Sequence, residues 1–211
     1  SSQARTAVFN TLRAVTTTDV GTAWLYSVWA GHEQVEGPTL GDAQMVTLAM
    51  ELAVRRPDGD EILRVQDQRT TTPEVRDALR FVAPALSAVQ HVRADAFDRL
   101  RDVAHRRREP WVVEMMRWLH HPLRTPETVS LIRPGLELLD EVRRTGDIFL
   151  PKRWTDSMLA GHRSPEAARE VQRFLDECPA DYPAALRRVV LTASHHLGVR
   201  ATTTARQASR T

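Results

Sequence analysis

Ser164-Pro165-Glu166-Ala167-Ala168 is the stretch whose chemistry decides the fold class, and it has two counterparts, Thr72-Pro73-Glu74 and Thr125-Pro126-Glu127. Each reads as a helix start. A hydroxyl at the N-cap accepts a free backbone N–H, and proline at the first helical position loses no hydrogen bond. An acid in the first turn then meets the positive end of the helix dipole. Thr72, Thr125 and Ser164 are therefore the expected caps. Pro110, Pro134 and Pro183 stand where other helices would begin.

Outward from these points the apolar spacing is helical almost everywhere. Ala7, Val8, Leu12 and Val15 form one stripe. Trp24, Leu25, Val28 and Trp29 form another, after a cap at Asp19. Residues 31–41 hold three glycines and Pro38 and read as a loop. Asp42 is the expected cap of a helix containing Met45, Val46, Ala49, Met50 and Ala53, with Arg55 and Arg56 at its cation-favouring end. Pro57-Asp58-Gly59 is a turn, and Ile62, Leu63 and Val65 begin the next helix. Trp111, Met115, Trp118 and Leu119 share one helical face and should be buried. Strand-like alternation is scarce. Its best case, Asp147-Ile148-Phe149-Leu150 between Gly146 and Pro151, reads as a buried extended connector.

The expected fold is all-α: about ten to twelve short helices joined by short loops, so that sequential helices are antiparallel neighbours. An irregular stack of antiparallel helical hairpins of HEAT or armadillo type fits best, with a compact bundle as the alternative. No Gly/Ser-rich linker divides the chain. Residues 1–200 read as one helical domain, and residues 201–211 as a polar tail with no large apolar side chain.

Composition limits the function. The 211 residues are 42% hydrophobic and 27% charged, enough for a core of ordinary size. No run approaches the ~18 apolar residues of a membrane span, so no membrane partner is expected. The formal charge is +2, and acids are interspersed among 29 basic residues of which only Lys152 is lysine. A nucleic-acid domain gathers its positive charge on one face, so nucleic acid is not an expected partner. One cysteine, Cys178, rules out an intrachain disulfide framework. The Ser1-Ser2 start, without methionine or an apolar leader, reads as a processed or excised piece of a larger protein, with the cytoplasm favoured.

Local chemistry assigns no catalytic, cofactor-binding or metal-binding residue. His120-His121 and His195-His196 are adjacent pairs, and helical neighbours project about 100° apart, so neither pair easily shares one ion. His32-Glu33-Gln34-Val35-Glu36 begins like the helical zinc motif H-E-x-x-H but has Glu36 where the second histidine belongs. Cys178 lacks a neighbouring base and reads as structural. There is no G-x-S-x-G and no phosphate-binding glycine loop. Arg106-Arg107-Arg108 could hold a phosphate or carboxylate, but a solvated corner between helices is the ordinary outcome. The tryptophans sit among Leu, Val and Met and read as core.

The order of several stretches is more distinctive than any one of them. Arg106-Arg107-Arg108-Glu109-Pro110-Trp111-Val112 precedes Leu119-His120-His121-Pro122-Leu123-Arg124. Thr145-Gly146-Asp147-Ile148-Phe149-Leu150-Pro151-Lys152-Arg153-Trp154 follows, then Gly161-His162-Arg163-Ser164-Pro165-Glu166-Ala167-Ala168, and finally Asp181-Tyr182-Pro183 with Leu186-Arg187. This combination resembles the C-terminal helical region of bacterial M1-family metallopeptidases, the aminopeptidase N-like zinc enzymes. The match is close over 106–191 and weaker toward the N-terminus, around Leu48–Ala53 and Phe81–Ser87. The family's zinc motif and its substrate-gripping G-x-M-E-N stretch do not occur, so no catalytic residue carries over. The resemblance implies a non-catalytic domain that packs on the catalytic domain of the same parent protein and shapes peptide access. Zinc is expected in that parent enzyme and not in this chain. The alternative is a free-standing helical-repeat scaffold that binds a partner helix or peptide.

Overall fold

The computed structural model describes residues 2–34 and 40–199, with side chains from residue 7 onward. Among the described residues there are helices and turns and no strand. The chain is all-α. The polar tail 201–211 and part of the 31–41 loop lie outside the described residues, as do Val35 and Glu36 of the histidine-glutamate stretch.

Two compact units divide the chain, Ser1–Arg99 and Leu100–Thr211. Unit 1 contains α1 (Ser2–Val15), α2 (Asp19–Ala30), α3 (Asp42–Ala53), α4 (Gly59–Arg69), α5 (Pro73–Val82) and α6 (Gln90–Arg99). Its centre is α3, which packs against α1, α2, α4 and α5. Seven of the twelve α3 residues are buried, more than one stripe, because neighbours cover several of its sides. Unit 2 contains α7 (Glu109–Leu119), α8 (Thr125–Thr128), α9 (Ile132–Glu137), α10 (Leu139–Thr145), α11 (Leu150–Leu159), α12 (Pro165–Glu177) and α13 (Ala184–Ala193). Here α11 is central, packed against α7, α9, α10 and α13. Trp154 lies in the middle of it, fully buried, with its indole N–H donating to Gly135 O at 3.0 Å.

The capping chemistry holds in one of its three places. Ser164 caps α12, its hydroxyl accepting from Ala167 N at 3.2 Å. Thr72 occupies the N-cap of α5, but its side chain makes no cap bond. Asp42 instead fixes the segment just before the helix, its carboxylate accepting from Thr71 N, Thr71 Oγ1 and Thr72 N at 2.7–2.9 Å. Asp42 is thus the first residue of α3, not its cap, and Gly41 precedes it as the cap. Thr125 already lies inside α8 and donates its hydroxyl back to Pro122 O at 3.1 Å. A hydroxyl engaged with the preceding turn cannot serve the N–H groups ahead of it. At α2 the cap is Thr18, one residue before the expected Asp19.

Two burial expectations also change. Val8, Leu12 and Val15 face water, whereas Phe9 turns inward against Trp24, ring centroids 6.2 Å apart. Arg55 meets its own helix end as expected, donating to Glu51 O and pairing with the Glu51 carboxylate, and it also donates to Ala14 O and Thr16 O at the C-terminus of α1. The Asp147–Phe149 segment is an exposed turn instead of a buried connector, and only Leu150 goes into the core. The predicted face of α7 is buried at Met115, Trp118 and Leu119, and half-buried at Trp111.

Candidate functional site

The turn between α10 and α11 is built around one carboxylate. Asp147 Oδ1 accepts from Phe149 N at 2.6 Å and Leu150 N at 2.8 Å, which caps α11. The N–H of Asp147 donates to Glu109 Oε1 at 2.7 Å, and Arg153 pairs with both Glu109 and Asp147. Hydrogen bonds to the charged form, Arg153 first among them, lower the Asp147 pKa, so the brace is ionised at neutral pH. This fixed turn holds Ile148 and Phe149 in water, 85% and 64% exposed.

Gly146 and Leu150, at the ends of the turn, help line a cavity of about 310 Å3. Val103, Arg106, Arg107, Glu109 and Thr145 complete its wall. The arginine run divides here. Arg106 is buried, donating to Leu100 O and Arg101 O and pairing with Glu141. Arg107 stays exposed, and Arg108 lies over the Trp111 ring, 4.3 Å from its centroid. So the expected solvated corner is half correct: its first arginine is a core residue.

A second junction in unit 2 gathers histidines. His120 and His162 are fully buried and share a hydrogen bond, Nδ1 to Nε2, at 2.8 Å. Their outer nitrogens, His120 Nε2 and His162 Nδ1, have no partner among the described residues. His196 Nε2 approaches Leu159 O and His162 O at 3.2 and 3.1 Å. Burial drives the His120 pKa well below the ordinary value, with His162 adding repulsion. Burial also takes His162 down to about 4, helped by His196 and Arg163. Both rings are therefore neutral near pH 7. A general base must reach the proton it removes, and neither ring reaches the surface. The junction is structural. Gly161 permits it: a Cβ there would stand 2.0 Å from His120 O.

The adjacent pair His120-His121 lies past the end of α7, not on a helix, and its rings separate, His121 stacking on Trp118 with centroids 5.4 Å apart. Among the described residues no group of three or more His, Cys, Asp or Glu is placed to hold a metal ion. Cys178 ends α12 half-buried, and burial raises its thiol pKa, so the thiol is protonated near pH 7. Unit 1 has a larger groove, about 510 Å3, with Leu63, Leu79 and Pro84 along it. Its rim is internally satisfied, Asp67 by Arg80, Arg64 by Glu61 and Asp60 by Ser87. No helix among the described residues is long and apolar enough to cross a membrane.

Sequence reasoning missed the exposed turn and the histidine pair. The turn carried a readable signal, since an aspartate side chain readily accepts from the backbone N–H two residues on and so fixes a turn. The pair carried none, because its members are 42 residues apart. Comparison with protein-family models, curated proteins and solved structures finds no match to this chain.

Proposed function

We propose that this chain is a non-catalytic helical domain of an M1-type zinc aminopeptidase, which packs on the catalytic domain and shapes peptide access. The observation that carries this reading is the braced turn at Asp147–Phe149. It holds two large apolar side chains in water, within Thr145–Trp154, one of the stretches that carry the family resemblance. Exposed apolar side chains on a rigid support are what a docking surface requires. Zinc and its ligands would belong to the catalytic domain. The residues of this chain would supply surface, packing and charge.

The reading has a direct test in the parent gene. An in-frame H-E-x-x-H with a downstream glutamate, upstream of the Ser1 codon, is expected. The purified parent should hold zinc, and replacing Ile148 with Asp should reduce aminoacyl-amide hydrolysis without removing the metal. An open reading frame that lacks the zinc motif would overturn the peptidase reading and leave a free-standing helical scaffold.

A further inference from the structure

Ion pairing around the unit 2 cavity is uneven. Glu141 pairs with Arg106, and Arg153 bridges Glu109 and Asp147. Lys152 pairs with Asp156, Arg143 and Arg144 pair with Asp140, and Arg108 covers Trp111. Arg107 is exposed and makes no ion pair or hydrogen bond among the described residues. Deeper in the wall, Nε of Arg106 has no hydrogen-bond partner among the described residues, although its side chain is only 2% exposed. The cavity thus pairs an apolar side, Val103 and Leu150, with a guanidinium at Arg107 that is unpaired among the described residues and an unsatisfied donor at Arg106.

An unpaired guanidinium beside apolar surface selects for a carboxylate attached to an apolar group. A bare anion would leave Val103, Ile148 and Phe149 in water. A purely apolar segment would leave Arg107 desolvated and unpaired at the contact, which is unfavourable. We propose that this face docks a protein segment in which an acidic residue stands next to a large apolar one. The carboxylate meets Arg107, the apolar side chain enters between Val103 and Leu150, and Ile148 and Phe149 cover its flank. This inference rests on the reading of the chain as a docking domain and adds the chemistry of what it docks.

The experiment is an NMR titration of the full chain with acetyl-Asp-Phe-Leu-amide and with acetyl-Asn-Phe-Leu-amide. The Asp peptide should give saturable shifts at the Val103 and Leu150 methyls and the Phe149 ring. The Asn peptide should bind about tenfold more weakly, as should the Asp peptide to Arg107→Gln, given the strength of a charge-assisted hydrogen bond. Raising the salt should narrow the difference between the peptides. Ile148→Asp should weaken both. Arg107 and Ile148 are exposed, so both variants should keep the wild-type thermal midpoint. Equal affinity for the two peptides would overturn carboxylate recognition, and absence of shifts at the cavity would overturn docking at this face. Shifts that grow with protein concentration alone, with a dimer in sedimentation, would make a second copy the occupant and overturn the proposal. The peptidase reading fails separately, on the zinc motif of the parent gene.

Discussion

In unit 1 the indole N–H of Trp29 donates to Gln66, and the Gln66 amide donates to Thr70. The Thr70 hydroxyl donates back to Gln66 O at 2.7 Å. In unit 2, His120 and His162 share a single hydrogen bond and leave one ring nitrogen each without a partner. Both arrangements are buried polar contacts between helices. The first uses groups that do not titrate and closes on itself. The second uses groups that stay neutral only because water is excluded. The two units should therefore be stable for different reasons and fail under different conditions. Their surfaces differ as well: the rim of the unit 1 groove is satisfied internally, whereas the unit 2 cavity keeps Arg107 free beside exposed Ile148 and Phe149.

The largest effect should come from the core that unit 2 builds around α11. Trp154→Ala removes a fully buried ring and leaves Gly135 O without its donor, and should cost about 3–5 kcal/mol. Trp24→Ala in unit 1, where the ring is half-buried, should cost less. Denaturant unfolding of the two variants measures the difference, and equal costs would remove the contrast in core quality.

Acid should separate the units next. A histidine whose folded pKa is depressed destabilises the fold on protonation. Its contribution is complete above the ordinary value near 6.5 and declines as pH falls toward the folded value. For His162 that window runs from about 6.5 to about 4, a loss of about 3 kcal/mol. His120 adds to it in the same direction. In unit 1 the clearest acid-sensitive group is Asp42, held down to about 2 by hydrogen bonds from Thr72 and Thr71. Its contribution is complete above the ordinary carboxylate value and falls only toward pH 2. Native-state hydrogen exchange at pH 7 and pH 5 should show α11 amides losing protection while α3 amides keep theirs. His162→Gln should reduce the difference, leaving the part due to His120, and parallel loss in both helices would refute it.

Helix caps give the finest comparison, within unit 2. Ser164→Ala removes a formed cap bond and should cost about 0.5–2 kcal/mol in chemical unfolding. Thr125→Ala stands in the same three-residue motif but caps nothing, so its change should stay within about 0.5 kcal/mol. A similar cost at both positions would mean that the motif matters through its proline and acid, not its hydroxyl.

What was legible in the sequence is what depends on neighbours within a few residues. The helical period, the buried face at Met115, Trp118 and Leu119, and the Ser164 cap all follow from side chains three or four positions apart. The Asp147–Phe149 turn was misread although its cause is also local. Ile148 and Phe149 read as a buried extended pair, whereas the Asp147 carboxylate holds the next two N–H groups beyond Ile148 and so makes a turn.

Other contacts are not local. Asp42 holds the backbone just ahead of α5, at Thr71 and Thr72, and Arg55, besides binding Glu51 O of its own helix end, reaches Ala14 O and Thr16 O at the end of α1. Val8, Leu12 and Val15 form an impeccable stripe, yet α1 turns Phe9 inward. A stripe states that one face of a helix is apolar, but the packing partner decides which residues it covers. The sequence by itself determined that this protein is helical, where most helices begin, and that no familiar catalytic motif is present. Only the tertiary structure decided which polar groups meet across helices, that His120 joins His162, and that Ile148, Phe149 and Arg107 remain free. The reason is physical: backbone hydrogen bonding and side-chain period act over one or two turns, whereas burial and charge compensation are set by whichever elements pack together.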